Sequence, residues 1–180
     1  MSLQSCSRDF EQDALPHFNS AYNLARWLTH NDQDAEDIVQ EAYMRAFRSY
    51  HGFRGGDARP WLLTIVRNVY YTSLQQSSLE RVVDLDEDAV GVDAHFANPE
   101  DVLIQSSRGA LLRRAIETLA THSREVLILR ELDGMSYKQI STILGVPTGT
   151  VMSRLSRARA SLCQSVTNLT GAGRKTTAKE

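Results

Sequence analysis

The stretch Ser136 to Leu162, SYKQISTILGVPTGTVMSRLSRARASL, predicts two short helices joined by a tight turn. Ser136 followed three residues later by Gln139 is a capping box, which predicts the start of the first helix. Gly145-Val146-Pro147 ends that helix, because Gly admits left-handed backbone and Pro cannot continue a helix. Apolar residues recur at helical spacing: Ile140, Ile143 and Leu144, then Val151, Leu155, Ala158 and Leu162.

The second of these helices keeps a polar and basic face outside its apolar positions. The residues on this outer face are Met152, Ser153, Ser156 and Arg157. Two short helices with such a face on the second are typical of a helix-turn-helix module that reads DNA. Thr148 and Thr150 fall at the helix N-terminus, where backbone N–H groups favour phosphate. We interpret Arg154 and Arg159 as phosphate contacts or surface charge rather than base readers.

Charge is distributed unevenly along the 180 residues, although the whole chain has a formal net charge of -2. Residues 1–76 carry seven basic and nine acidic side chains, and residues 77–107 carry one basic and eight acidic. Residues 108–180 carry twelve basic and five acidic side chains. The C-terminal third alone therefore has the positive charge expected of a phosphate-binding surface.

Several classes of protein are disfavoured by composition. No apolar run approaches the roughly 20 residues of a membrane span, and the N-terminus lacks the pattern of a signal peptide. We therefore expect a cytoplasmic protein. Cys6 and Cys163 lie at opposite ends of the chain without metal-site spacing, and the five His residues form no catalytic pattern. The sequence predicts no enzyme, metal site or cofactor.

The periodicity predicts an all-α fold made of two small helical domains. The predicted helices cover residues 10–29, 34–50, 59–75, 100–119, 123–132, 136–144 and 148–164. An acidic stretch without a clean apolar stripe separates the third from the fourth, and the C-terminal end is small, polar and basic. We therefore predict domains at 1–76 and 99–168, a flexible linker at 77–98 and a disordered tail at 169–180.

The helix predicted at 34–50 is strongly amphipathic. Its buried positions are Ala35, Ile38, Val39, Ala42 and Ala46, and its other face carries Asp34, Asp37, Gln40 and Glu41. Glu41 and Arg45 form a favourable i,i+4 pair. The carboxylates are either a solvated surface or a docking face for a basic partner helix, and the residues alone favour the former.

The loop SYHGFRGGDAR at 49–59 and the helix after it suggest contact with single-stranded nucleic acid. Glycines let a backbone approach a ligand, and Phe53 either stacks on an unpaired base or fills the core. Pro60 then occupies the first position of a helix whose core residues are Trp61, Leu62, Ile65, Val66 and Val69. Arg67, Asn68 and Tyr71 remain for its outer face and can contact phosphate, base edges or a base plane.

Taken together, these segments resemble the extracytoplasmic-function (ECF) sigma factors of the sigma-70 family of bacterial RNA polymerase. The resemblance covers nearly the whole chain and rests on four blocks in the family's order. The blocks are DAEDIVQEAY (34–43), FRGG with WLLTIVRN (53–56 and 61–68), NPED (98–101) and LRELDGMSYKQISTILGVPTGTVMSRLSRAR (129–159). It implies two helical domains, called region 2 and region 4, on a flexible linker.

The resemblance also implies roles for the candidate residues. Asp37, Gln40 and Glu41, beside Asp34, match positions that dock on the clamp helices of the largest polymerase subunit. Ser49, Phe53 and Asn68 match a pocket that captures a flipped base of the melted -10 promoter element. Met152, Ser153, Ser156 and Arg157 match positions that read the -35 element. Partners implied by the family are core RNA polymerase, promoter DNA and an anti-sigma factor, often bound to the membrane. The alternative is a helix-turn-helix regulator that is no part of the polymerase.

Overall fold

The computed structural model describes the backbone of residues 3–84 and 108–175 and the side chains of residues 9–77 and 109–170. Every regular element in these ranges is helical, as the sequence predicts. The α-helices are α1 (Leu3–Ala14), α2 (Phe18–Thr29), α3 (Asp32–Ser49), α4 (Ala58–Asp84), α5 (Arg108–Glu117), α6 (Thr121–Leu127), α7 (Tyr137–Leu144) and α8 (Thr148–Lys175). Within the described residues no helix combines the length and apolar character needed to cross a bilayer.

Helix boundaries differ from the prediction at several points. The single helix predicted at 10–29 is wrong, because a 3₁₀ turn at Leu15–His17 separates α1 from α2. Pro16 in this turn has no N–H to donate, so a continuous helix cannot pass through it. Both long helices also run further than their predicted ends, α4 to Asp84 and α8 to Lys175. Most of the predicted linker, the NPED block and the end of the predicted tail lie outside the described residues.

Helices α1 to α4 form the first domain, in which α2, α3 and α4 pack around one another. Asn31 starts α3 by accepting a hydrogen bond from the Gln33 N–H at 2.9 Å. The five buried residues predicted on α3 are all buried: Ala35, Ile38, Val39, Ala42 and Ala46. On α4, Leu62, Val66 and Val69 are buried as predicted, whereas Trp61 and Ile65 are only partly buried. The buried face of α3 is what turns its carboxylates toward solvent.

The second domain contains the predicted helix-turn-helix. Ser136 Oγ accepts a hydrogen bond from the Gln139 N–H at 3.2 Å, and Gln139 Oε1 accepts one from the Ser136 N–H at 2.9 Å, which confirms the capping box. Gly145 ends α7 in the left-handed region, with φ of 65°. Val151, Leu155 and Ala158 of α8 are buried, so the opposite side of this helix faces outward.

The two domains pack directly on each other. Helix α6 contacts α2, α7 contacts α4, and the buried side chains of both domains belong to one continuous core. Helix α6 leads into a π-helical turn at Ile128–Leu132, which ends at Asp133. This turn matters for the interface because Asp133 forms an ion pair with Arg59 of the first domain, with 2.9 Å between Oδ1 and Nη2.

Candidate nucleic-acid and partner-docking interfaces

The acidic face of α3 is open to solvent. Asp34, Asp37 and Gln40 are exposed, and Glu41 is half-buried. Glu41 Oε1 accepts a hydrogen bond from Arg45 Nε at 2.6 Å, which confirms the predicted i,i+4 pair. These four side chains lie on the side of α3 opposite its buried residues, so they can all meet one flat or helical partner. We call this set the acidic face.

Two apolar side chains that the sequence analysis did not single out extend the acidic face. Met44 and Phe47 are 45% and 46% exposed, which is high for side chains of this size. Met44 follows Asp37 by seven residues and Gln40 by four, so helical spacing places all three on one side of α3. The sequence could have indicated this role for Met44, because an apolar residue stands there at the spacing of the acidic face and outside the buried positions of α3. Carboxylates beside exposed apolar area are typical of a docking surface.

The loop after α3 is organised by aromatic packing. The ring centroid of Phe53 lies 5.0 Å from that of Trp61 and 5.9 Å from that of Tyr50. Phe53 is half-buried, so it contacts this aromatic cluster while keeping part of its surface exposed. Ser49 is exposed, and its hydroxyl donates to the Arg45 carbonyl at 2.8 Å. Gly56 has φ of 95°, a backbone conformation that L side chains rarely adopt.

The three outer residues of α4 lie in different environments. Asn68 is exposed and follows Trp61 by two helical turns, so it lies on the side of α4 where Phe53 packs. Arg67 and Tyr71 lie together one turn apart, with the guanidinium carbon of Arg67 4.6 Å from the centroid of the Tyr71 ring. Arg67 Nε also donates a hydrogen bond to Glu125 Oε1 of the second domain at 2.6 Å.

Burial shapes the electrostatics around this contact. Glu125 is fully buried, and desolvation raises its pKa above the usual range although the Arg67 guanidinium opposes that shift. Desolvation, with a smaller contribution from the Glu125 carboxylate, raises the pKa of Tyr71 to about 12. Desolvation also raises the pKa of Asp133 at the neighbouring ion pair, against the effect of Arg59. At the interface between the domains, Glu125 and Asp133 therefore lose hydration that their carboxylates would have in water.

The outer face of α8 is accessible. Met152 is 50% exposed, Ser156 and Arg157 are exposed, and Ser153 is half-buried. Thr148 and Thr150 are half-buried in the first turn. Arg154 is also half-buried, and it lies one helical turn from the buried Val151 and Ala158, away from the centre of the outer face. Arg159 forms an exposed ion pair with Glu131 at 2.5 Å.

A buried arginine that the sequence did not reveal connects the two domains. Arg124 is only 4% exposed, and its Nη2 donates to the carbonyls of Glu117 at 3.1 Å and Leu119 at 2.8 Å. Its Nη1 donates to the Trp27 carbonyl of α2 at 3.0 Å and also contacts the His30 ring. Arg124 thus satisfies carbonyls near the ends of α5 and α2, where positive charge is favourable. Helical periodicity could not predict this contact, because it reports only on residues three or four positions apart and Arg124 and Trp27 are 97 positions apart.

No group of His, Cys, Asp and Glu side chains within the described residues is arranged to hold a metal ion. The exposed features are instead an acidic and apolar face on α3, a glycine-aromatic loop, and a polar and basic face on α8. This combination suits binding to a protein and to nucleic acid.

Family models match both domains. Residues 16–79 match "Sigma-70 region 2" and residues 109–162 match "Sigma-70, region 4". The ECF RNA polymerase sigma factor SigE of Mycolicibacterium smegmatis is 34% identical over 159 residues, which are 88% of this chain and 62% of that relative's length. The ECF RNA polymerase sigma-E factor of Escherichia coli K12 is 36% identical over 138 residues, or 72% of each chain.

Solved structures support the same relationship. The sigma factor RpoE in complex with the anti-sigma factor NepR from Bartonella quintana has a TM-score of 0.69 at 27% identity, over 88% of this chain and 97% of that one. CnrH in complex with the cytosolic domain of CnrY has a TM-score of 0.62 at 25% identity, over 89% and 91%. The match of residues 16–79 disfavours the helix-turn-helix regulator, which would carry a sensing domain there. The chain belongs to the ECF sigma factors of the sigma-70 family.

Proposed function

We propose that this chain binds core RNA polymerase, directs it to specific promoters and helps to open the -10 element. The observation that carries this proposal is that one chain combines both sigma regions with an exposed acidic face on α3 and an accessible outer face on α8. Factors of this family start transcription and are not enzymes, so no catalytic residue is assigned.

Polymerase binding is assigned to the acidic face, Asp34, Asp37, Gln40 and Glu41. Its partner is a basic surface of the polymerase, which the family resemblance identifies as the clamp helices of the largest subunit. Opposite charges on two such surfaces speed their encounter and fix their register. Met44 adds apolar area beside the charges, and its burial on docking would contribute affinity that salt does not screen.

Recognition of the -10 element is assigned to the loop and the outer face of α4. Ser49, Phe53 and Asn68 are proposed to capture a flipped base, and Arg67 and Tyr71 to contact the adjoining strand. The Phe53 ring already packs against the Trp61 ring. This contact supports the proposal, because the two rings form a rigid apolar surface against which a base can stack. Capture of an unstacked base offsets the few kcal/mol that unpairing costs, so opening needs no nucleotide hydrolysis.

Recognition of the -35 element is assigned to α8. The proposed base-facing residues are Met152, Ser153, Ser156 and Arg157. Thr148 and Thr150 lie in the first turn of α8, where backbone N–H groups favour phosphate. Arg154 is the weakest of the proposed DNA contacts, because it is half-buried one helical turn from the buried Val151 and Ala158.

An anti-sigma factor is the further partner we infer. One solved structure of similar fold is a sigma factor in complex with the anti-sigma factor NepR, and another is a complex with the cytosolic domain of CnrY. We infer that this chain acts in the cytoplasm, where RNA polymerase and promoter DNA are found. An anti-sigma factor anchored in the membrane would hold it at the inner face.

Reconstituted transcription tests the proposal. Purified chain and core RNA polymerase are incubated with a pool of promoter fragments, and transcripts are sequenced. We expect initiation at a defined subset of promoters only when both proteins are present. Duplex binding by the chain alone, with no complex with core polymerase and no new transcripts, would instead indicate a separate regulator.

Substitution of Arg157 by Ala tests -35 recognition. Arg157 is exposed on α8, so its removal should weaken use of the -35 element about tenfold without affecting the fold. Binding to core polymerase should be unchanged. The readouts are run-off transcription and affinity for a -35 duplex. Arg113→Ala, which removes another exposed arginine of the second domain, is the control and should change neither.

A further inference from the structure

The second domain covers part of the surface that the first domain would use for the -10 element. Glu125 of α6 accepts a hydrogen bond from Arg67 at 2.6 Å, and its other oxygen lies 3.5 Å from the Tyr71 hydroxyl. The Tyr71 hydroxyl is also 3.3 Å from His122 Nδ1. Glu125 and His122 of the second domain thus contact the polar groups of Arg67 and Tyr71 that would otherwise be available to DNA.

Contacts elsewhere fix the relative position of the domains. Gln139 Nε2 donates to Asp57 Oδ2 at 2.8 Å, which ties α7 to the loop that precedes α4. Arg59 pairs with Asp133 at the start of α4. Arg124 binds the Trp27 carbonyl near the end of α2. These contacts lie on different elements of the first domain, so they resist both rotation and sliding of one domain on the other.

We propose that this packing is a self-inhibited conformation in which Glu125 takes the place of promoter DNA on Arg67 and Tyr71. The proposal rests on the assignment of those two residues to the -10 element. A carboxylate offers Arg67 the same kind of anionic oxygen as a phosphate, at the same hydrogen-bond distance. Strand binding at this site then requires α6 to leave α4, so the second domain competes with the DNA.

The inhibition is selective because other surfaces stay open. Asp37 of the acidic face is exposed, as are Ser156 and Arg157 on α8. This self-inhibited conformation, which we call the closed conformation, can therefore bind polymerase and a -35 duplex while its -10 surface is covered. This order of access would prevent the free protein from trapping single-stranded DNA before it joins the polymerase.

The closed conformation is suited to reversible opening. Glu125 and Asp133 are desolvated in it. The attraction within a buried ion pair does little more than offset the free energy lost by desolvation, so these pairs add little net stability. Opening returns both carboxylates and both arginines to water. A partner that binds the open form better than the closed form can therefore shift the population.

A reversible crosslink tests the proposal directly. Asp57 and Gln139, whose side chains touch across the interface, are replaced by Cys in a background with Cys6→Ser and Cys163→Ser. A short bismaleimide with a reducible centre then locks the closed form. The probe is the non-template -10 strand of a promoter chosen in the reconstituted assay. We expect locking to reduce affinity for this strand at least tenfold, and reductant to restore it.

Other readouts on the same protein separate the possible failures. Binding of the locked form to a -35 duplex should be unchanged. Equal affinity of locked and reduced protein for the -10 strand would overturn self-inhibition while leaving the proposed function intact. Failure of the reduced protein to bind that strand or to start transcription with core polymerase would refute both.

Glu125→Gln provides a second test that needs no crosslink. Loss of the charge leaves Arg67 without its ionic partner and should open the interface. We expect affinity of the free protein for the -10 strand to rise about three- to tenfold, because less of it is closed. Small-angle scattering should report a larger radius of gyration. Glu117→Gln in α5 removes the same charge from the same domain and should change neither quantity. An unchanged radius and affinity in Glu125→Gln would count against the proposal.

Discussion

Replacement of Asp37 by Lys should weaken assembly with core RNA polymerase by about a hundredfold and leave the fold intact. Asp37 is exposed near the centre of the acidic face, so a Lys there meets a basic partner with like charge. Juxtaposed like charges cost several kcal/mol at a protein interface. The same change costs little in the free protein, because exposed positions away from buried contacts tolerate substitution. Fluorescence titration of labelled protein with core enzyme measures the loss.

Glu36→Lys is the matched control for this prediction. Glu36 is exposed on the same helix, but it lies about 100° around the axis from Asp37 and near Tyr22 of α2. Both variants change net charge by the same amount, so long-range attraction to the polymerase falls equally in both. A similar loss of binding in the two variants would mean that net charge, rather than the acidic face, sets the affinity.

The sequence predicted most of what lies within each helix. The buried positions of α3 and the capping box at Ser136 are local patterns, set by residues three or four apart. Both are confirmed. The acidic face followed from the same periodicity, because a helix with one buried side must expose the other. Its role in binding polymerase came from the family resemblance and stays a prediction.

Contacts between the domains were beyond the reach of these patterns. Arg67 was predicted on an outer face, and it lies there on its own helix, yet the second domain covers it. Glu125 and Arg124 are adjacent polar residues of a short helix, and nothing in their spacing indicates that both are buried. Their environment depends on how two domains, formed by distant parts of one chain, pack on each other. Pairings between residues 58 or more positions apart leave no periodic trace in a single sequence.

Substitution of Arg124 by Ala should lower the free energy of unfolding by about 3–5 kcal/mol. It removes a buried guanidinium that binds the carbonyls of Glu117 and Leu119 in its own domain and Trp27 in the other. Each buried carbonyl left without a donor costs about 1–3 kcal/mol. Unfolding in urea, followed by circular dichroism, measures the loss. Arg124→Lys should be intermediate, because one ammonium cannot reproduce the forked geometry.

The same substitution should also separate the unfolding of the two domains, since Arg124 bonds to both. Arg130→Ala is the appropriate comparison, because Arg130 is half-buried in the same domain and donates to the Met135 carbonyl at 2.7 Å. Its removal should destabilise the second domain by only about 1 kcal/mol and keep a single transition. Two resolved transitions for Arg124→Ala and one for Arg130→Ala would identify Arg124 as the bridge between domains. Equal shifts and single transitions in both variants would mean that Arg124 serves its own domain alone, and that the interface depends on Arg59, Arg67 and their carboxylates.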